Sequence, residues 1–235
     1  MEIIKDCGIV LKIHEHGKTS QVVTVFSKEN GIISGYNKGG GGVKKKSICI
    51  TGNLIDFTWS ARVISQLGTF EVELSQNFSS VFLQIQRSSI VHCVCEIVAS
   101  CLEKNDSHPE IFTLVLNFFQ HIKSTQNTSI ILEQYAIFET KLMSFLGFGY
   151  NFEKCNITGV GVPEFISPKT GNAVNCDVAK GFEDQLFPIP KFILKSSHKT
   201  TILEVKKMLD INLHFLKLHI ELPSLPVREF AINLF

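Results

Sequence analysis

Lysine and glycine concentrate in one stretch of this chain, Lys38-Gly39-Gly40-Gly41-Gly42-Val43-Lys44-Lys45-Lys46-Ser47. An ammonium group attracts phosphate, and four adjacent glycines have no side chain to pack, which argues for a mobile loop. Between Tyr36 and Arg62 there are five basic residues and one acid, Asp56, although the whole chain carries only +1. Positive charge gathered on one loop of a near-neutral protein suits a polyanion, most often a nucleic-acid backbone. A solvated loop that only aids solubility is the alternative. Lys12, Lys18 and Lys28 are secondary phosphate candidates. Tyr36 and Trp59 offer rings for base stacking, though Trp59 fits a core position equally well. The only arginines are Arg62, Arg87 and Arg228. Bidentate readout of bases is therefore poorly supplied, and binding without sequence preference is expected.

Other chemistries find no support. A phosphate loop needs a glycine directly before Lys-Ser, but Lys45 stands there before Lys46-Ser47, so the motif fails. His14-Glu15-His16 puts two imidazoles on one face of a strand with no third ligand, which reads as edge histidines. Cys93, Cys95 and Cys101 lie in an apolar helix and read as small buried hydrophobes. Cys155 and Cys176 bracket a loop. A structural zinc site wants a further cysteine three residues after each, and Thr158 and Ala179 occupy those positions. Closing such a site requires recruiting another residue, such as His198. The two cysteines are remnants of a ligand set, and no zinc or other cofactor is expected. No catalytic triad or carboxylate pair stands out, so the chain reads as a non-enzyme.

The elements that position these residues change character near residue 80. Before it come short β-like runs: Ile3 to Ile13, Gln21 to Ser27, Gly31 to Tyr36, Ile48 to Trp59 and Leu67 to Leu74. Lys28-Glu29-Asn30-Gly31 is a hairpin turn. Five strands with tight turns and one long basic loop suggest a small barrel, with the OB-fold leading. Helical patterns follow over Val81 to Lys104, from a capping box at Ser107-His108-Pro109-Glu110 to about Lys123, over Ser129 to Leu146 with Gly147 as C-cap, and over Thr200 to Glu221. The stripe of the last helix is Val205, Met208, Leu209, Leu213, Leu216 and Ile220, expected to pack on the central helices. Residues 150–190 read as irregular. The expected fold class is α+β, with a barrel domain over 1–79 and a mostly helical domain over 80–235. No run is apolar enough to span a membrane, no signal peptide is present, and seven irregularly spaced cysteines fit free thiols in a reducing cytoplasm.

Over nearly its full length the chain resembles the RecO family. The resemblance rests on Gly8-Ile9-Val10-Leu11, Gly17-Lys18-Thr19-Ser20, Val22 through Gly31, the basic run from Lys38-Gly39 to Ser47, and Leu67-Gly68-Thr69. Further along it rests on Tyr135, Leu142, Leu146-Gly147-Phe148-Gly149, Cys155, Thr158-Gly159, Ser167-Pro168, Gly171, Ala173-Val174 and Cys176. It implies an N-terminal OB-fold, a helical C-terminal domain and an embedded zinc-finger-like loop over 150–190, here without a full ligand set. It also implies a bacterial DNA-repair and recombination mediator of the RecFOR pathway. Such a protein binds single- and double-stranded DNA, anneals complementary strands, works with RecR and in some settings RecF, and helps load RecA on strands coated by single-strand-binding protein (SSB). The helical domain of the family receives the acidic, apolar SSB tail. A protein-interaction adaptor with little DNA binding of its own is the competing expectation.

Overall fold

The structure, a computed structural model of the full chain, describes residues 1–17, 19–42, 46–194, 200–220 and 225–235. In chain order its elements are β1 (Glu2–His16), β2 (Ser20–Ser27), β3 (Gly31–Asn37), β4 (Leu54–Ala61), β5 (Gly68–Gln76), a 3-10 turn (Ser79–Leu83), α1 (Ile85–Cys101), α2 (Pro109–Ser124) and α3 (Thr128–Phe145). After these come β6 (Phe165–Ile166), β7 (Ala173–Val174), α4 (Cys176–Ala179), a second 3-10 turn (Glu183–Gln185), β8 (Phe187–Pro188), α5 (Lys191–Leu194), α6 (Ile202–His219) and α7 (Pro226–Asn233). The fold is mixed α+β. Two compact units are present: one joins Met1–Thr128 to the segment carrying α7, and the other begins at Ser129 and includes α3 to α6. The change of pattern at residue 80 is thus a change of element type, and the first unit runs across it.

Five strands close the barrel in the order β1-β2-β3-β5-β4. All neighbours are antiparallel except β3 and β5, which pair in parallel over only Gly35–Asn37 and Gly68–Phe70. Alternation along the strands sends Val10, Val23, Val25, Ile33, Ile55, Phe57, Trp59 and Phe70 inward. Each such side chain contributes roughly 1.5–3 kcal/mol on burial. Trp59 is 1% exposed and its Nε1–H donates to the Ser34 carbonyl at 3.0 Å, so its ring belongs to the core and is unavailable to a base. The fourth strand begins at Leu54, later than the expected Ile48. Residues 46–52 turn instead, with Gly52 at φ 90°.

The Asp6 carboxylate ties the β2–β3 hairpin. It accepts from the Ser27 hydroxyl, the Glu29 N–H at 2.9 Å and the Asn30 side-chain amide at 3.1 Å. Gly31 closes that turn at φ 67°, and a Cβ there would lie 2.0 Å from the Asp106 carbonyl oxygen. The close approach exists because the chain leaving α1 bridges back onto β3, with Lys104 paired to Ile32 and the Asn105 N–H donating to the Ile32 carbonyl at 3.1 Å.

Helix α1 starts at Ile85, not Val81. The 3-10 turn first seats Val81 in the core, and Gln84 then adopts an extended conformation. The helix ends at Cys101, three residues before Lys104, because Leu102 is extended. Cys93 and Cys95 are buried, as expected for small hydrophobes, whereas Cys101 at the end of the helix is only half-buried. Helix α2 begins at Pro109, but His108 caps it without a side-chain hydrogen bond, so the capping box expected from Ser107 does not form. A reciprocal box is found instead at Thr201 and Glu204, at the head of α6. The buried Arg87 guanidinium donates to the Ile122 and Lys123 carbonyls and so satisfies the end of α2.

In the second unit, α3 ends as expected at Gly147, φ 91°. The Gly147 and Phe148 N–H groups donate to the Ser144 and Met143 carbonyls, which is a Schellman closure. Strands β7-β6-β8 form a three-stranded sheet inside the stretch expected to be irregular. Helix α6 buries Val205, Met208, Leu209 and Leu216 of the expected stripe and adds Ile211 and Phe215, while Leu213 and Ile220 are only half-buried. It packs on α3, where the Asn212 amide donates to the Ala136 carbonyl at 3.2 Å. Glu221 lies outside the described residues. Among the described residues no helix is long and apolar enough to cross a membrane.

Candidate nucleic-acid interface

Strand pairing places the outward residues of β1, β2 and β3 in rows. Lys12 lies opposite Thr24, which lies opposite Ser34; His14 lies opposite Val22, which lies opposite Tyr36. Lys12, His14 and His16 alternate along β1 and are all exposed. The His16 ring centroid sits 5.2 Å from that of half-buried Tyr36, and the Thr24 and Ser34 hydroxyls are 3.0 Å apart. This barrel wall therefore offers a cation, two imidazoles, a phenol ring and hydroxyls, with the Glu15 carboxylate beside Gly41 of the loop and Glu96 near Lys12.

The basic loop leaves β3 at the edge of this wall and is anchored on both sides. Upstream, the Gly41 N–H donates to the Thr19 carbonyl at 3.0 Å, and Gly40 and Gly42 close turns on Asn37 and Gly39. A Cβ on Gly40 would lie 2.3 Å from the Asn37 side-chain nitrogen. Glycine at 40 thus permits close backbone approach, a use beyond conformational freedom alone. Downstream, the fully buried Asn53 donates to the Ser47 and Ile48 carbonyls at 3.3 and 3.1 Å and accepts from the Phe78 N–H at 3.0 Å. The buried Asn37 amide meets Cys49 Sγ at 3.3 Å. Burial pushes the Cys49 thiol up to about 11, opposed by that hydrogen bond, so it stays a neutral packing group. These anchors hold Lys38 and Lys46 exposed at the two ends of the loop.

The barrel has a second, acidic side. Where β3 parts from β5, a cavity of about 810 Å³ is lined by Asp6, Asp56, Glu71 and Glu73 as well as Lys5 and Lys38. The register sets Asp56 opposite Glu73 and Thr58 opposite Glu71. These four carboxylates disfavour a phosphate backbone at this opening, offset in part by Lys5 and Lys38.

The structure places Tyr36 and Lys38 at the end of β3 and exposes Lys46 at the other end of the loop, with Lys12 midway along the neighbouring strand, and adds His14 and His16, which residue-by-residue reading left as edge histidines. Their alternation with Lys12 on one strand was the available signal. Lys28 is not part of this group. It sits past the far end of β2, about 20 Å of strand from Lys38, and pairs with Glu29 at 3.4 Å. Arg62 is exposed in the β4–β5 connection beside exposed Val63, Ile64 and Leu67. That connection is one of the two loops through which OB-folds commonly hold oligonucleotides. Lys18, Lys44, Lys45 and His198 lie outside the described residues.

In the second unit, a groove of about 380 Å³ is lined by Ile137, Thr140, Lys141, Ser144, Tyr150, Phe152, Phe192 and Ile193. Lys141 is exposed at its rim. Among the described residues no group of three or more His, Cys, Asp or Glu side chains could hold a metal ion.

The family model described as "Recombination protein O N terminal" matches residues 1–78, and "Recombination protein O C terminal" matches residues 83–229. Among similar proteins, the DNA repair protein RecO of Rickettsia bellii (strain OSU 85-389) is 27% identical over 215 residues, covering 90% of this chain and 87% of the relative. That of Rhodospirillum centenum is 28% identical over 219 residues, covering 92% and 86%. That of Rickettsia canadensis is 26% identical over 214 residues.

Proposed function

Because the chain belongs to the RecO family of DNA repair proteins, we propose that it is a recombination mediator. It binds single- and double-stranded DNA on the β1–β3 wall and the basic loop, and anneals complementary strands. The observation that supports this reading is the anchored loop, which exposes Lys38 and Lys46 at its two ends next to a wall that carries Lys12, His16 and Tyr36, with Lys38 also at the rim of the acidic opening. Lysines there, with Lys44, Lys45 and Arg62, neutralise phosphates and release counterions. The Tyr36 and His16 rings stack on unpaired bases. Annealing requires no bond chemistry: two strands held on cations repel each other less and meet more often, so no catalytic residue is assigned.

With RecR, and RecF where it takes part, the protein helps RecA load on SSB-coated single strands in the bacterial cytoplasm and at the nucleoid during repair. The groove along α3 has the chemistry of an acidic, apolar peptide site, with aromatic walls and Lys141 at the rim, and we assign the SSB tail to it. The same groove favours the adaptor as second reading, in which SSB and RecR contacts dominate and DNA contacts are minor. The test is annealing of complementary strands precoated with cognate SSB, comparing wild type with a Lys44→Ala/Lys45→Ala/Lys46→Ala variant. Loss of annealing in a folded variant supports the mediator. Equal annealing removes the loop from the DNA contact. Failure of both proteins, with tail binding intact, supports the adaptor.

A further inference from the structure

Residues 153–190 contain two short turns, each with the Cys-x-x-x backbone spacing of half a zinc site but with only one cysteine apiece. In the first, Cys155 opens a turn closed by the Gly159 N–H on the Cys155 carbonyl at 2.8 Å. In the second, Asn175 caps α4, and the Ala179 N–H returns to the Asn175 carbonyl at 3.0 Å.

The two turns converge. Cys155 and Ala179 are both fully buried and share one apolar cluster with Val174, against Phe165, Val178 and Leu186. The Thr158 hydroxyl lies against the Cys155 sulfur and also reaches the Val160 carbonyl at 3.0 Å. The backbone N–H groups of Ile157, Thr158 and Asn175 point at the same sulfur. A sulfur ringed by N–H donors is how a protein holds a metal thiolate, and here the donors are present without the other ligands. Cys176 does not join them. It is exposed, and its thiol is turned to the Glu164 carboxylate, which raises it. Two sulfurs, one of them turned away, do not close a tetrahedral site.

We propose that this segment is a zinc-knuckle pair whose metal has been replaced by a small apolar core. The Ala179 methyl fills the place of one ligand, the Thr158 hydroxyl satisfies Cys155 in place of another, and the segment folds without zinc. The residues therefore do not fit the metal, although their backbone retains the shape that would. Restoring two thiols should restore the site.

The test uses the full chain purified from zinc-supplemented medium, and the Thr158→Cys/Ala179→Cys variant. For wild type, metal analysis is expected to find well below one zinc per chain, and a chelator is expected to leave its melting temperature unchanged. The variant is expected to bind cobalt with a thiolate charge-transfer band and to melt lower once chelated. Stoichiometric zinc in wild type, with a melting temperature that falls on chelation, would overturn the proposal without any variant. A variant with native circular dichroism and no cobalt band would also overturn it, because the four positions would then not converge. Neither readout depends on DNA binding, so this proposal and the mediator reading fail separately.

Discussion

Removing Lys38 and Lys46 together should weaken DNA binding by an amount that salt reveals. Both side chains are exposed at the ends of an anchored loop, and neither appears in an ion pair of the kind that ties Lys28 to Glu29. Each phosphate contact to a single strand contributes about 0.7 to the slope of log K against log salt. Two contacts therefore account for a slope of about 1.4. Taking 1 M salt as the point where this contribution vanishes, they supply about 1.4 log units at 0.1 M, or roughly 25-fold in affinity and about 2 kcal/mol. The assay is fluorescence anisotropy with a labelled single-stranded oligonucleotide across a salt series. It compares wild type, Lys38→Ala/Lys46→Ala and Lys28→Ala. The double variant should lose about 25-fold at 0.1 M and show the shallower slope, with the curves meeting near 1 M. Lys28→Ala, at the far end of β2, should keep the wild-type slope. If Lys28→Ala loses as much as the double variant, or if the double variant keeps its slope, the assignment of charge to this end of the barrel is wrong.

Three further outcomes are expected. Gly31→Ala should destabilise by about 2–4 kcal/mol, from left-handed backbone strain plus displacement of the Asp106 backbone. Gly17→Ala, at the same φ of 67° but with nothing within 4 Å, should cost only about 1–2 kcal/mol; equal losses in urea unfolding would deny the contact. Tyr36→Ala should weaken single-strand binding by about 1–3 kcal/mol and duplex binding much less, as read by parallel titrations. Lys141→Glu should remove binding of an SSB-tail peptide, measured by calorimetry, while leaving the DNA affinity of the barrel unchanged; retained peptide binding would move the tail elsewhere.

Strand alternation made the barrel legible, because period two sends Val23 and Val25 inward whatever the partner strand is. Ends of elements were less so. Ile48 to Trp59 is rich in strand-forming Ile, Phe and Trp, but the stretch before Leu54 turns to place Asn53, whose buried amide holds the loop. Ser107-His108-Pro109-Glu110 has the letters of a capping box and does not form one, whereas Thr201 and Glu204 do. The basic loop was plain in the residues. The acidic opening was not, since Asp6, Asp56, Glu71 and Glu73 are scattered in sequence and meet only through β1–β4–β5 pairing. Trp59 was open between core and surface on its letters alone, and burial under β3 decides it. The groove along α3 likewise joins Ile137 to Phe192 by packing that no short motif marks.

The most direct measurement of where DNA lies is backbone hydrogen exchange with and without a saturating single-stranded oligonucleotide. Slowed exchange is expected in residues 12–24 and 34–47, with little change in 56–58 and 71–73 on the acidic side. Protection centred on the acidic side, or no protection anywhere on the barrel at saturation, would contradict DNA binding by the β1–β3 wall.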